Sequence, residues 1–379
     1  MRIKHRNLFR ITRFIILKLP VVLKFFAPLL KPQKRLLIIK TDAIGDYILF
    51  RNFIEIIKRS DTFKDHQVDL LGNKIWEEIA LKYDREFISN TIFIKPDELY
   101  EAPLQTFKLG LSLFKNNYET VLHPTFSRTF IADGLAGFTA AKNIIGFESD
   151  TERIDPRYKS KTDKFYTQLI SNPVDLNFEF DRSKFFIAQV LKQQVNIDRP
   201  FINNQSTKHS GIIIFPGSGS RKRNWEAEKF VSLINLILQQ TKNQIYIAGG
   251  AEDAYVANYI MENLRDERVS DLTGKTSLNE LIDFISTATL IISNETSAVH
   301  IAAAVKTPAI CILGGGHFGR FAPYPSKTED SPVCVFERME CYHCNWNCKF
   351  QTAENEPYPC ISNVSLETVW KAVWKMLET

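Results

Sequence analysis

The sequence predicts an α/β protein built from two doubly wound, mainly parallel sheets. From Arg35 onward, short apolar strands alternate with segments of helical periodicity, a pattern typical of parallel sheets covered by helices on both faces. A second series of the same kind starts at GIIIFPGSGS. The chain of 379 residues is also longer than one growing hydrophobic core favours, so we expect two domains with a ligand cleft between them.

Residues 1–34 are predicted to form a basic amphipathic helix. Residues 1–35 contain ten Lys or Arg and no Asp or Glu. Five of these basic residues fall within about 60° of one another on a helical projection, and apolar residues fill the other side. Pro20 falls on the basic side, where we expect a kink. No charge-free apolar run reaches the length of a membrane span, and no small-residue cleavage site follows, which disfavours a signal peptide.

This helix is expected to lie on an anionic membrane surface, on the inner face of the cytoplasmic membrane. A helix packed on the protein body and a poorly ordered tail are the alternatives. The remaining chain has 38 basic and 43 acidic residues, so the net charge of +5 belongs to the first segment. The folded body therefore lacks the basic excess that a nucleic-acid binder requires.

The first domain is predicted over 35–205, the second over 206–362, and a closing helix over 363–379. In the first domain the strands are RLLIIK, VDLLG, TIFIK, ETVLHP and NIIGF. Residues 148–205 are irregular, with one helix near 181–193, and are predicted to be an insertion and linker. In the second domain the strands are GIIIF, QIYIAGG, VSDLTG, LIISN and AICILGG.

Polar residues follow several strands, at the sheet edge where doubly wound proteins bind ligands. After the first strand, KTDAIGD places Asp46 at the start of the next helix, where a carboxylate is often only a cap. PGSGSRKRNW supplies backbone donors and bases suited to a phosphate, although a plain βα loop is the alternative. Its candidate residues are Ser218, Gly219, Ser220, Lys222 and Arg223.

Two further strand ends in the second domain carry candidate ligand groups. In GGAED, Glu252 and Asp253 could bond ribose hydroxyls or simply start a helix. In SNETSAVH, a helix N-terminus is predicted beside Glu295, and such a terminus favours an anion. A lone helical histidine such as His300 is usually a satisfied core residue.

These motifs, in this order, resemble glycosyltransferase family 9, the heptosyltransferase-like enzymes of lipopolysaccharide assembly. The resemblance covers about 36–365 and rests on IGD, PGSGS…W, LTGKTSLNELIDFISTA and SNETSAVHIAAAVKTPAICILG. It implies a GT-B fold of two Rossmann-like domains and inverting, metal-independent sugar transfer. The implied partners are a nucleotide-sugar co-substrate, first of all an ADP-sugar, and a saccharide or glycolipid acceptor, with no other cofactor.

The resemblance also implies roles for individual residues. Asp46 becomes the general base that takes the proton of the acceptor hydroxyl. Backbone donors at Thr296, Ser297 and Ala298 stabilise the leaving diphosphate, with His300 beside them. The family's usual Lys, Asp and Gly are replaced by Arg223, Glu295 and Ser297, which puts the usual ADP-heptose donor in doubt.

The acceptor is expected at the first domain, beside Asp42 and HPTFSRTF. His123 and Arg128 of this motif are predicted to contact it, and a solvated arginine at a helix start is the alternative. Nucleotide-sugar 2-epimerisation on the same fold, and a catalytically silent sugar-nucleotide-binding protein, are the competing functions.

Four of the six cysteines cluster near the C-terminus, as Cys341, Cys344, Cys348 and Cys360. Four thiolates within about 20 residues could hold a structural zinc. Disulfides and free thiols are the other interpretations, and a reducing compartment is favoured because the cysteines are local and not spread over the chain.

Overall fold

The computed structural model describes residues 3–31, 33–204 and 211–378, and this part of the chain divides into two compact units. The first unit extends to Leu176 and includes Phe180–Ile197, and the second comprises Asn177–Glu179 and the chain from Asp198 onward. Each unit has a sheet of six described strands, all parallel. The predicted α/β fold with two doubly wound sheets is confirmed.

The first unit begins with helix α1 (Arg6–Phe26). Its strands are β1 (Arg35–Lys40), β2 (Gln67–Asn73), β3 (Asn90–Ile94), β4 (Thr120–His123), β5 (Asn143–Phe147) and β6 (Gln168–Ile170), in the order β3-β2-β1-β4-β5-β6. The remaining helices are α2 (Ile44–Phe50), α3 (Asn52–Arg59), α4 (Glu77–Tyr83), α5 (Pro96–Leu99), α6 (Pro103–Lys115), α7 (Phe130–Phe138), α8 (Pro156–Thr162) and α9 (Glu179–Leu191).

The second unit has the strands β7 (Gly211–Phe215), β8 (Gln244–Ile247), β9 (Val269–Asp271), β10 (Leu290–Asn294), β11 (Ala309–Ile312) and β12 (Val333–Val335), in the order β12-β11-β10-β7-β8-β9. Its helices are α10 (Ala227–Gln240), α11 (Ala254–Asn263), α12 (Leu278–Thr287), α13 (Ser297–Val305), α14 (Pro359–Ser362) and α15 (Leu366–Leu377). Both sheets therefore place their strands in the same topological order, with the first beside the fourth.

The central strands are apolar on both faces because helices cover both sides of each sheet. In β1, the side chains from Leu36 to Ile39 are fully buried, and in β7 the same holds for Ile212 and Ile214. A parallel sheet of this kind buries its middle strands completely, so these strands are continuous apolar runs without alternating polar residues.

Helix α1 packs on the first unit along one face and exposes the opposite face. Thr12, Ile16, Pro20 and Leu23 form the buried stripe. Ile16 lies against Gly134 and Pro20 against Gly137, where any added Cβ would collide or crowd. These glycines of α7 let the two helices approach closely.

This placement corrects two details of the prediction for residues 1–34. One helix runs through Pro20, and Pro20 lies on the buried face, not on the basic side. The apolar residues are split between the buried stripe and an exposed face that includes Ile11, Phe14 and Phe25. Among the described helices, none is both long and apolar enough to cross a bilayer.

The irregular segment 148–205 is more ordered than predicted. It contains α8, the edge strand β6 and α9, and β6 extends the first sheet beside β5. The prediction of an insertion and linker did not include α8 or β6, because three residues are too few to show a periodic signal by themselves.

Candidate active site

In each sheet the strand order reverses between the first and fourth strands, which is where doubly wound folds bind ligands. In the second unit this point lies between β7 and β10, which pair directly. The loop after β7 carries PGSGS and the turn after β10 carries SNETS. Two of the predicted donor-binding motifs are thus neighbours at the carboxyl edge of one sheet.

Asn294, at the end of β10, joins these two segments. Its side chain is fully buried, and its Nδ2 donates to the carbonyl oxygen of Pro216 at 2.7 Å. Its Oδ1 accepts the backbone N–H of Trp225 at 3.0 Å. The sequence analysis did not assign a role to Asn294, because its value lies in contacts with residues about 70 positions away.

The N-terminus of α13 is capped by Thr296. The Thr296 hydroxyl accepts the backbone N–H of Ala298 at 3.3 Å and lies 3.0 Å from the hydroxyl of Ser293. This bond gives the Ala298 N–H a partner within the protein, and its predicted contact with the donor stays a prediction. Thr296 and Ser297 are half-buried and remain the candidate donors at the positive end of the helix dipole.

Arg223 reaches from the PGSGS side to the SNETS turn. Its Nη2 donates to the carbonyl oxygen of Glu295 at 3.3 Å and lies 3.7 Å from the Glu295 carboxylate. The guanidinium also lies 4.4 Å from the ring centre of Trp346. These contacts hold a positive charge next to the start of α13.

Glu295 is a buried carboxylate surrounded by cationic groups. Only 8% of the residue is exposed, and its Oε2 has no hydrogen-bond partner among the described residues. Burial raises the pKa of Glu295, while Arg223, His317 and Arg320 oppose that rise. His317 and Arg320 were missed by the sequence analysis, although the run GGGHFGR after β11 places them at the same sheet edge.

Lys222 and Ser218, also in this loop, form hydrogen bonds within the protein. Lys222 donates through Nζ to the carbonyl oxygen of Thr352 at 3.1 Å, so its ammonium already has a partner within the protein. The Ser218 hydroxyl lies within hydrogen-bond distance of the Ser220 carbonyl oxygen and of Asn224 Oδ1. Gly219 and Ser220 form the exposed tip of the loop.

Glu252 and Asp253 lie after β8, where the sequence also predicted donor contacts. The Asp253 carboxylate accepts the backbone N–H of Gly250 at 3.0 Å and so closes its own turn. Burial raises the pKa of Asp253. Glu252 is exposed. The structure therefore gives Asp253 the helix-start role that was the alternative.

His300 is a buried residue with a partner inside the protein. It is 4% exposed, and its Nδ1 lies 2.9 Å from the Tyr324 hydroxyl. Burial lowers the pKa of His300 to about 4, which keeps the imidazole neutral near pH 7. The structure thus gives His300 the core role that is usual for a lone helical histidine, and its place beside the donor stays a prediction.

In the first unit, Trp76 contacts the loop from β1 to α2 and the start of α2. The indole Nε1 donates to the carbonyl oxygen of Asp42 at 3.0 Å, and the ring stacks on Tyr47 at 3.8 Å. Gly72 makes room for this indole, since a Cβ there would lie 2.1 Å from Trp76. The Tyr47 hydroxyl donates to Asp84 at 2.7 Å, which fixes α2 further.

Asp46 lies in the first turn of α2 and is half-buried. The residue that caps this helix is Ala43, so Asp46 is not the N-cap. A carboxylate at the third helical position on an anchored helix start has a fixed location at the sheet edge. This placement is compatible with the predicted role as a base.

Asp42 forms a buried ion pair. Its carboxylate lies 2.9 Å from Lys40 Nζ and accepts the Thr125 hydroxyl at 2.6 Å. Burial raises the pKa of Asp42, but Lys40, Thr125 and Arg153 outweigh it and lower the pKa to about 2. The predicted acceptor contact of Asp42 is corrected, because this carboxylate is 6% exposed and already paired.

Arg128 and His123 belong to a buried polar network, not to an acceptor surface. Both side chains are fully buried. Arg128 pairs with Asp163 and lies 3.4 Å from Asp133, while His123 Nδ1 lies 2.7 Å from the Tyr166 hydroxyl. Burial and the Arg128 charge lower the pKa of His123 to about 3.

This network corrects both acceptor assignments and also the alternative of a solvated Arg128. An exposed base that the sequence analysis missed lies nearby, since the guanidinium of Arg153 is 4.0 Å from Asp42 and half exposed.

The four clustered cysteines line one small cavity of about 10 Å³ together with Trp346 and Tyr342. All six cysteines of the chain are free thiols in the structure. Within 3–31, 33–204 and 211–378, no group of three or more His, Cys, Asp or Glu is arranged to hold a metal ion. The zinc and disulfide interpretations therefore receive no support from the geometry.

Comparison with known proteins gives a consistent picture. The family model of glycosyltransferase family 9 (heptosyltransferase) matches residues 106–351. A lipooligosaccharide heptosyltransferase 2 of Campylobacter jejuni is 23% identical over 338 residues, covering 88% of this chain and 96% of the relative.

Solved structures show the same fold. The ADP-heptose lipopolysaccharide heptosyltransferase II of E. coli superposes with a TM-score of 0.67 at 14% identity, covering 91% of this chain and 98% of that one. The E. coli heptosyltransferase WaaC, solved with ADP-2-deoxy-2-fluoro heptose, gives a TM-score of 0.63 at 15% identity, with coverages of 90% and 99%.

Proposed function

Because this chain belongs to glycosyltransferase family 9, it is a glycosyltransferase, and we propose that it moves a heptose or related sugar from an ADP-sugar to a lipopolysaccharide core acceptor. The observation that carries the proposal is the Arg223–Glu295 bridge beside the N-terminus of α13. Helix N-termini and arginines are the groups that bind diphosphates in proteins. The relative solved with an ADP-sugar analogue supports the same donor class.

In the proposed reaction, the acceptor hydroxyl oxygen attacks the anomeric carbon from the face opposite the diphosphate. A new C–O bond forms as the bond between the anomeric carbon and the phosphate oxygen breaks, so the configuration inverts. The Asp46 carboxylate takes the hydroxyl proton. The electron pair leaves with the nucleoside diphosphate.

The charge that gathers on the leaving diphosphate needs fixed positive partners. The backbone donors at Thr296 and Ser297 and the Arg223 guanidinium supply them without a catalytic metal. The side-chain cation that binds the diphosphate is Arg223 and not Lys222, because the Lys222 ammonium is hydrogen-bonded to Thr352. The Arg320 guanidinium adds positive charge near Glu295.

In this proposal Arg153, and not Arg128, contacts the acceptor. An exposed guanidinium near the end of β1 is suited to bind a phosphorylated or acidic sugar of the acceptor. Arg128 cannot do so while its side chain is fully buried.

The exposed face of α1 is proposed to hold the enzyme on an anionic membrane that presents the glycolipid acceptor. Phe14 and Phe25 are 64% and 79% exposed, and lysines and arginines lie among and beside these apolar residues. An amphipathic helix with this composition binds in the plane of the interface.

The experiment is product analysis by NMR with ADP-, UDP- and GDP-sugars, with and without a deacylated core acceptor. The proposal expects transfer from an ADP-sugar, only with acceptor, with inversion at the anomeric carbon and no loss of rate in EDTA. Conversion of the free nucleotide sugar would show an epimerase, and binding without turnover would show a silent protein. Retention of configuration, or loss of rate in EDTA, would contradict the mechanism.

A further inference from the structure

A large groove lies between the C-terminal half of α1 and the body of the first unit, away from the sheet edge that carries Asp46. Its volume is about 1140 Å³, slightly above the range of about 300–1000 Å³ common for ligand pockets. The α1 side is lined by Leu17, Val21 and Phe25, and the body side by Ala141, Ile144 and Phe165. The walls of the groove are thus mainly apolar.

The rim of the groove is strongly basic. Five lysines line it, namely Lys18, Lys24, Lys142, Lys161 and Lys164. All five are exposed, and no ion pair involves them within the described residues. The one acid of the lining, Glu119, already lies 3.3 Å from His66.

Apolar walls under a ring of lysines match a molecule with a hydrocarbon part and an anionic head. We propose that this groove binds one anionic phospholipid, with an acyl chain along the apolar walls and the headgroup phosphate among the lysines. This inference rests on the proposed membrane attachment through α1. It adds a defined lipid site to that attachment.

Continuity with the exposed face of α1 favours a membrane lipid as the occupant. Val21 and Phe25 line the groove and are also 64% and 79% exposed. A helix lying in the interface would therefore open the groove directly to the lipid layer. A free phosphate would use the lysines and leave the apolar walls uncovered.

The test is native mass spectrometry of the full chain with dioctanoyl phosphatidylglycerol below its critical micelle concentration. Dioctanoyl phosphatidylcholine and glycerol 3-phosphate are the comparison ligands. The variant K142E/K164E replaces two positive charges on the body side of the groove with negative ones. The matched control K242E/K327E makes the same charge change at two exposed lysines of the second unit.

We expect one phosphatidylglycerol to bind per chain. Its affinity should fall at least tenfold in K142E/K164E and stay unchanged in the control. The other two ligands should bind much more weakly. Equal binding of glycerol 3-phosphate would assign the site to free phosphate and overturn the inference. So would a lack of saturable lipid binding, an equal loss in the control, or a lipid-free dimer that K142E/K164E disrupts. Transfer to a soluble acceptor should persist in K142E/K164E, which separates a failure here from a failure of the proposed function.

Discussion

At the scale of single residues, Arg223 and Glu295 form the charged pair at the centre of the candidate donor site. Two segments that are far apart in sequence meet through this pair at the carboxyl edge of β7 and β10. Arg223 was a candidate because it follows PGSGS, and the family resemblance places it where the family usually has a Lys. Its contact with a buried carboxylate could not be predicted, because the contact depends on how the two loops fold over the sheet edge.

Substitution of Arg223 by methionine should weaken donor binding. The guanidinium is proposed to meet the diphosphate, and a hydrogen bond to a charged group contributes about 1.5–3 kcal/mol, or roughly tenfold to a hundredfold in Kd. Calorimetric titration with the ADP-sugar measures the change. R221M is the matched control, because Arg221 is in the same basic run but lies over the Tyr255 ring at 4.0 Å. An equal loss in R221M would show only a general charge effect.

Substitution of Glu295 by glutamine should stabilise the protein increasingly as the pH rises. Burial raises the pKa of Glu295 in the folded state, so the folded protein holds this proton more tightly than the unfolded chain. The stability that the proton confers is present below the unfolded pKa and is lost as the pH rises through the folded pKa.

The measurement is the Tm difference between E295Q and the natural sequence from about pH 4.3, near the usual value for Glu, to pH 7.5. We expect the difference to grow in favour of E295Q. E262Q, at an exposed position of α11, controls for removal of a carboxylate. A difference that shrinks with rising pH would show that Arg223 and its neighbours outweigh burial.

At the scale of elements, strands that are continuous apolar runs were predicted, and two of the three-residue strands were missed. The strands β1 and β7 are continuous apolar runs, and the sequence identifies them directly. The strands β6 and β12 have three residues each, and only their neighbours β5 and β11 define them. Residues 96–115 form two helices and not one, because Pro103 starts a new helix after α5.

The periodicity of α1 does not predict which of its apolar residues are buried. The projection separates basic from apolar residues, but it cannot tell which apolar residues meet Gly134 and Gly137. The structure divides them into a buried stripe and an exposed face. The alternatives of a packed helix and a membrane-binding helix are therefore compatible with each other.

Removal of exposed apolar side chains from α1 should weaken membrane binding. The variant I11S/F14S changes two residues that are 50% and 64% exposed, so we expect little effect on folding. Loss of their insertion should reduce binding to phosphatidylglycerol vesicles by about tenfold or more. Vesicle co-sedimentation at two salt concentrations measures this effect.

The control for this prediction is I75S/V174S, which removes two exposed apolar residues elsewhere in the first unit. Equal losses in both variants would contradict a specific role of α1. Binding that is insensitive to salt would contradict the contribution of its basic residues.

At the scale of the whole molecule, the two units repeat one topology, and in each the polar motifs follow the first and fourth strands. The sequence was sufficient to predict this arrangement, since Asp46 follows β1 and the SNETS turn follows β10. It was insufficient for burial, because Arg128, His123 and His300 stand in the expected motifs but have partners inside the core. Local motifs define the chain position of a side chain, and packing decides whether a ligand can reach it.

The proposed reaction is tested most directly by the turnover of D46N with an ADP-sugar and a core acceptor. Loss of a general base typically costs about 10²–10⁴-fold in rate. D97N removes a carboxylate from the first turn of α5, at an exposed position, and is the matched control. We predict that D46N keeps its donor Kd within about twofold while turnover falls at least a hundredfold, and that D97N retains full activity. Full turnover by D46N would contradict the proposed mechanism.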